Sequence, residues 1–374
     1  MLLVIESCRP SGLATQAEAL ACGLRGLSAA GEGRFTPSMV ALQARGAVAE
    51  KLAGVGPLEA AGRRHAADPI AAWKLRRAIR TQRPTVVHAW GPAAAAYAAA
   101  ACRMIGRSQG RPALVATLGR PATHTPAWRL SLDAWRRRQT AWTIATSEAV
   151  AERLGSTIDR VILPGVFTSA GDKPDRSASK AELRQELGLP PTARVIAIAA
   201  RLLPRKRVKE MIWVADLLRV VRDETRLVVI GGGPELPVLQ RFARLASTAE
   251  HIRFTGPRGD AAELVRGADA LWHAGDEHAP PLAVLEAMAA GVPVVADATP
   301  GARRAVTHDQ TGLLVEPGQR AERVRQTERL LDDPALRDRL TAAAAQSVRT
   351  HFSAERMTAE YAAVYHACAE PGPP

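Results

Sequence analysis

The chain has 374 residues, a length that suits two domains better than one core, and with 47% apolar residues and no internal repeat it reads as globular, not disordered or solenoid. Its net charge of +13 suits an anionic ligand, an anionic membrane face or nucleic acid, with an Arg-rich genome composition as the plain alternative. No run approaches the roughly 18 apolar residues of a membrane span, and Cys8, Cys22, Cys102 and Cys368 are scattered without a CxxC pair, which favours free thiols in a reducing, cytoplasmic compartment.

The opening MLLVIESCRPSG has an early acid and no basic segment before its apolar run, so it reads as a first strand and not as a signal peptide. Strand-like runs then alternate with helical patterns. LLVIE, SMVAL, TVVHA, ALVATL, WTIAT and RVIL are the strands of the first half, with helices over 13–29, 68–82, 92–105 and 126–139. The polar stretch FTSAGDKPDRSASK is the best linker candidate. A second series follows: RVIAIAA, RLVVIGG, HIRFTG, ALWHAG, VPVVA and GLLVE, with helices over 208–222, 234–247 and 281–290. From about 318 the pattern is helical only, DDPALRDRL opening one helix and SAERMTAEYAAVYHAC forming the last. This order predicts an α/β protein of two doubly wound, Rossmann-like domains, 1–167 and 183–350. A linker over 168–182 joins them, and a C-terminal helix and tail, 351–374, packs back towards the first domain. Ligands of such sheets bind outside the carboxyl ends of the strands, at the switch point, which here means a cleft between the domains.

Several stretches carry candidate chemistry. AARLLPRKRVKE places Arg201 at a strand end and Lys206 five residues later, before a helix. Such a pair can hold a diphosphate, the guanidinium bidentate and the ammonium as a point charge; a solvated basic loop is the alternative. VVIGGGPELPVL sets Gly231 and Gly232 at a strand–helix turn, where the backbone can approach a ligand or simply turn tightly. Gly12, after Ser11 and just before a helix, can offer backbone N–H groups to a phosphate, though an ordinary turn looks the same. In HAPPLAVLEAMAAGVPVVA, Pro280 and Pro281 suit a helix start, Gly291 a stop, and VPVVA a buried strand. One carboxylate, Glu286, stands in that apolar helix. It either pairs with an Arg or accepts two hydrogen bonds from the vicinal hydroxyls of a ribose.

Taken in order, the Gly loop, Arg-x4-Lys, GGGP, LEAMAAGVPVVA and TGLLVEPG resemble the family 4 glycosyltransferases of the GT-B fold. VVHAWG, IATSEAVAERL and VILPGV extend the likeness to the first half. The resemblance implies retaining transfer of a sugar from a nucleotide-diphosphate donor to a glycan or lipid-linked acceptor, usually without a metal and with no cofactor beyond the donor. By position it implies that Arg201 and Lys206 neutralise the departing diphosphate, that the N–H groups of Leu282 and Ala283 support it, and that Glu286 holds the ribose. Gly12, Gly231 and Gly232 complete the implied nucleotide-sugar site.

The sugar end departs from the pattern. Where the family usually carries a Glu eight residues before the ribose acid, the chain has His278, with Glu277 one residue off and Asp276 beside it. Gly119 stands where a His is common, with His124 five residues on, and Arg304 takes the place of an acid. Three readings follow. The donor sugar is acidic and met by His278 and Arg304; or Glu277 fills the usual role after a loop shift; or the chain binds a nucleotide or partner without transferring sugar. On the acceptor side, Trp128, Trp135 and Trp142 stand seven residues apart with Arg129, Arg136, Arg137 and Arg138 between them, and on a helix Trp128, Leu132 and Trp135 share one face, with Trp142 in the next strand. That is either a helix packed on its sheet or an anchor to an anionic inner-membrane surface. Nucleic acid is not an expected partner, since no groove-reading motif appears and aromatic residues make up only 4%.

Overall fold

The structure, a computed structural model, describes all residues except 10, 44–45, 47, 106–109, 120–134, 156–157, 169–175, 247, 277 and 370–374. Its contacts divide the chain into two units: Met1–Gly165 with the C-terminal segment from Ala354, and Val166–Ser353.

The first unit contains β1 (Leu2–Ser7), β2 (Ser38–Gln43), β3 (Leu58–Ala60), β4 (Val86–Trp90), β5 (Ala113–Leu118), β6 (Trp142–Ala145) and β7 (Arg160–Val161). They form one sheet in the order β3-β2-β1-β4-β5-β6-β7, and every pair is parallel. Parallel strands are covered on both faces, which is why β1 opens with the buried apolar run Leu2–Ile5. Leu3 and Ile5 enter one core with helices Gly12–Ala29 and Ala354–Ala369, while Leu2 and Val4 enter the other with helices Pro69–Gln82 and Pro92–Arg103. The helix starts follow local capping chemistry: Ser11 Oγ accepts the Ala14 N–H at 3.3 Å, Asp68 Oδ1 the N–H groups of Ile70 and Ala71, and Ser147 Oγ that of Val150. Trp135 packs against the second of these cores and Trp142 against the first, and Arg136 is buried. Trp128, Arg129, Leu132 and most of the helix predicted over 126–139 lie outside the described residues.

Polar groups fasten the C-terminal helix to this sheet. His88, fully buried on β4, has Nδ1 2.6 Å from the Tyr365 hydroxyl and Nε2 2.8 Å from Thr117 Oγ1, which in turn lies 3.0 Å from the Tyr361 hydroxyl. The rings of Trp90, Tyr361 and Tyr365 surround the imidazole. Burial pushes His88 down to about 3 and both tyrosine hydroxyls upward, so all three stay neutral.

The second unit contains β8 (Arg194–Ala199), β9 (Thr225–Ile230), β10 (Ile252–Gly256), β11 (Ala270–His273), β12 (Val294–Asp297) and β13 (Leu313–Val315), in the order β10-β9-β8-β11-β12-β13 and again all parallel. Helix Arg176–Glu186 begins inside the stretch predicted as linker, which corrects that expectation for residues 176–182. Its charges have a buried target. Lys180 Nζ lies 2.6 Å and Arg184 2.8 Å from the Asp269 carboxylate, which also accepts the Val195 N–H at 2.8 Å. Burial works against ionisation of Asp269, but Lys180, the Val195 N–H and Arg184 outweigh it and hold the carboxyl below its ordinary range. Arg176 donates to the carbonyls of Ala268 and Gly291, at 2.7 Å each. The strand predicted as RVIL contracts to Arg160–Val161, ahead of Pro164, which has no N–H to give a ladder. All four cysteines are free thiols. No helix among the described residues is long and apolar enough to cross a membrane.

Candidate functional site

In the second sheet β9 and β10 continue from β8 on one side and β11 to β13 run off on the other, so the order reverses between β8 and β11. At such a reversal the connections leave the carboxyl edge in opposite directions and open a crevice. Arg201 and Lys206 lie in the segment leaving β8. His278, Leu282, Ala283 and Glu286 lie in the segment leaving β11, and Gly231 and Gly232 follow β9 at the same edge. The topology therefore gathers residues from three stretches of sequence at one edge.

Arg201 is exposed and has no hydrogen-bond or ion-pair partner among the described residues. Lys206 closes a 3-10 turn, Pro204–Lys206, and is half-buried. Next to it, Arg205 Nε lies 3.9 Å from Oδ1 of the exposed Asp276, which links the two segments. His273, the last residue of β11, is buried. Burial, together with the charges of Lys206 and Arg323, takes its pKa well below the ordinary value and leaves it neutral.

Helix Leu282–Ala289 starts from Pro281, which is extended and has no side chain to cap it; the Pro281 carbonyl takes the N–H groups of Val284 and Leu285 at 3.0 and 3.1 Å. A helix start leaves its first N–H groups, here those of Leu282 and Ala283, without intrahelical acceptors, at the positive end of the helix dipole. Val284, Leu285, Ala287 and Met288 are buried, while Leu282, Ala283 and Glu286 are only half-buried. Spaced i, i+1 and i+4, these three share the open side of the helix. The lone acid of the apolar helix thus lies on the same face as the helix start.

The glycines have a role inside the fold. Gly231 has φ 136°, and a Cβ on it would stand 2.0 Å from the Ala200 carbonyl oxygen; one on Gly233 would stand 2.2 Å from that of Leu202. The Gly231 N–H donates to Gly256 O at 2.9 Å, and Gly232 O accepts the Leu202 N–H at 3.0 Å. The run therefore lets the β9 turn bond closely to residues 200–202, the base on which Arg201 is carried. Gly12 is an exposed helix start in the first unit, just beyond the carboxyl end of β1, where that sheet also reverses between β1 and β4. Gly119 follows β5, and a Cβ there would come 3.1 Å from Leu13 Cδ2, so Leu13 fills the space a side chain would need. His278 is half-buried. Arg304 is exposed with its guanidinium 5.8 Å from the centre of the Phe352 ring. Glu277 and His124 lie outside the described residues.

Sequence analysis missed the groups beneath this edge. Asp297, buried at the end of β12, accepts the Gly275 N–H at 3.1 Å and pairs with Arg207 at 3.4 Å and with the buried Arg323. Burial raises its pKa, against the pull of Arg323, the Gly275 N–H and Arg207. The one signal for it was an acid ending an otherwise apolar buried strand. Among the described residues no group of three His, Cys, Asp or Glu could hold a metal ion.

Comparison with known proteins identifies the family and the fold. The profile described as Glycosyltransferase Family 4 matches residues 11–169, and that described as Glycosyl transferases group 1 matches residues 179–347. The chain belongs to the family 4 glycosyltransferases. Among its relatives, the lipopolysaccharide core biosynthesis glycosyltransferase LpsD of Rhizobium meliloti is 28% identical over 292 residues, 77% of each chain. The GDP-mannose-dependent alpha-(1-6)-phosphatidylinositol monomannoside mannosyltransferase of Mycobacterium tuberculosis is 35% identical over 175 residues, and the match spans only 43% of that relative's length and 43% of this chain. In structure, Anabaena HepE, solved in complex with UDP and glucose, superposes with a TM-score of 0.79 at 19% identity, covering 98% of this chain and 99% of that one. This family 4 glycosyltransferase therefore has the GT-B pair of parallel-sheet, Rossmann-like domains.

Proposed function

We propose that this glycosyltransferase moves a sugar from a nucleoside diphosphate donor to a glycan or lipid-linked acceptor, with retention and without a metal, using the carboxyl edge of β8 and β11. The observation that carries the reading is the shared open face of Leu282, Ala283 and Glu286, set at the same edge as Arg201, which has no partner among the described residues. When the bond from sugar C1 to the diphosphate oxygen breaks, its electron pair stays on the diphosphate. Arg201, Lys206 and the first N–H groups of the helix supply positive charge where that negative charge grows. In this reading Glu286, one turn further along the same face, accepts hydrogen bonds from the ribose hydroxyls. UDP is the first nucleotide to try, since HepE holds UDP and glucose. The relatives that build lipopolysaccharide core and act on phosphatidylinositol monomannoside support a lipid-linked acceptor. Peripheral contact with an anionic inner-membrane face suits the charge of +13.

The test is incubation with UDP-glucose, UDP-glucuronate or GDP-mannose and a lipid-linked glycan fraction, with NMR of the product. The expected result is diphosphate release coupled to a product that keeps the donor's anomeric configuration. Preference for UDP-glucuronate would assign His278 and Arg304 to an acidic sugar. Diphosphate binding with no transfer from any donor would make the chain a degenerate member of its family.

A further inference from the structure

Arg207 directly follows Lys206 and has φ 50° and ψ 29°, in the left-handed region where a Cβ is disfavoured and glycine is the usual occupant. Arg83 and Asp309 are also left-handed, but Arg83 simply ends a helix and Asp309 lies in the turn before β13. Arg207 differs in what its guanidinium reaches. One nitrogen lies 3.4 Å from Oδ2 of Asp297, a side chain only 3% exposed, and the other pairs with Glu210 one turn into the next helix, Val208–Val221. The same Asp297 oxygen accepts the Gly275 N–H at 3.1 Å. The second Asp297 oxygen pairs with Arg323, which is buried in helix Arg320–Asp332 and also donates to Val295 O at 2.9 Å. Arg320 of that helix stands 3.8 Å from Glu210. One buried carboxylate thus ties the segment leaving β8 to the segment leaving β11 and to a third element beneath both.

We propose that Arg207 is a positioning residue: its ion pair with Asp297 holds position 207 left-handed, and that conformation sets the turn that aims Lys206. Arg207 does by charge what a glycine would do by conformational freedom. Its guanidinium faces Asp297 and Glu210, so it acts through Lys206 and not on the donor. The inference rests on the reading that Arg201 and Lys206 hold a diphosphate.

The test is calorimetric titration of the full chain with UDP, or with GDP or ADP if the wild type binds that nucleotide instead, using Arg207→Ala, Arg207→Gly and Asp297→Asn, each checked for a cooperative melt. Arg207→Ala, which keeps a Cβ and loses the anchor, binds UDP at least tenfold more weakly than the wild type. Arg207→Gly, which lacks both, binds within about threefold of it. Asp297→Asn weakens binding in the wild type and has no further effect on Arg207→Gly. A merely structural residue would change melting and leave UDP binding alone, and a residue touching the donor would make Gly as harmful as Ala; either outcome overturns the proposal. If the wild type binds none of UDP, GDP and ADP, the donor reading itself fails and this inference falls with it.

Discussion

The roles proposed for Arg201 and Glu286 can be tested apart from folding. Arg201 is exposed and without a partner among the described residues, so Arg201→Ala should leave unfolding within about 0.5 kcal/mol of the wild type. Transfer should still slow by roughly 100-fold or more, the usual cost of removing one group that faces developing charge. Glu286→Gln keeps the shape of the side chain and gives up the charged acceptor, and should weaken UDP binding about tenfold, or about 1.4 kcal/mol. Chemical denaturation, kinetics and titration of the two variants check these values; Arg201→Ala with full activity would remove Arg201 from the site. Both residues were legible in sequence because each breaks its local pattern, a cation after a strand and an acid in an apolar helix. The Asp297 cluster was not. Its members are 26 and 90 residues from Asp297 along the chain, and only the packing of three elements brings them together.

Elements with strong local signals were read closely. Helix Gly12–Ala29 was predicted from 13, and Val208–Val221 from 208, because a cap or a break marks each start. Strand β3, with three residues, and helices Ala49–Val55, Ala261–Arg266 and Pro300–Ala305 are too short to show a period. Helix Arg176–Glu186 was hidden by its charges, which look solvated until Asp269 is seen beneath them. The last helix was legible as a helix, but its polar clasp on His88 was not, since His88 and Tyr365 are 277 residues apart. That clasp has a pH signature. His88 has a pKa of about 3 in the folded chain against 6.5 as its ordinary value, so between these values only the unfolded chain takes up the proton. Its contribution is complete above about 6.5 and falls towards acid by up to about 1.4 kcal/mol per pH unit. Urea unfolding from pH 4.5 to 7.5 should therefore show a steeper rise of stability with pH in the wild type than in His88→Gln. Equal slopes would mean that His88 is not held neutral.

At the scale of the whole molecule, two runs of alternating strand and helix patterns were enough to predict two doubly wound domains, and each observed sheet reverses once, between β1 and β4 and between β8 and β11. The C-terminal helix, expected to pack back towards the first domain, puts Met357, Tyr361, Val364 and Tyr365 in the same core as Leu3 and Ile5. Four such side chains at about 2 kcal/mol each rival the whole stability of a domain, about 5–15 kcal/mol, so the first unit depends on the end of the chain. The charge of +13 fits the proposed anionic donor. The central claim, that this edge binds a nucleoside diphosphate, is tested most directly by melting the full chain with UDP, GDP and ADP in turn. A ligand at 100 times its dissociation constant adds about 2.7 kcal/mol, enough to raise the melting temperature by several degrees. The account predicts such a rise for one of the three nucleotides, abolished by Arg201→Ala; a melting temperature unmoved by all three would contradict it.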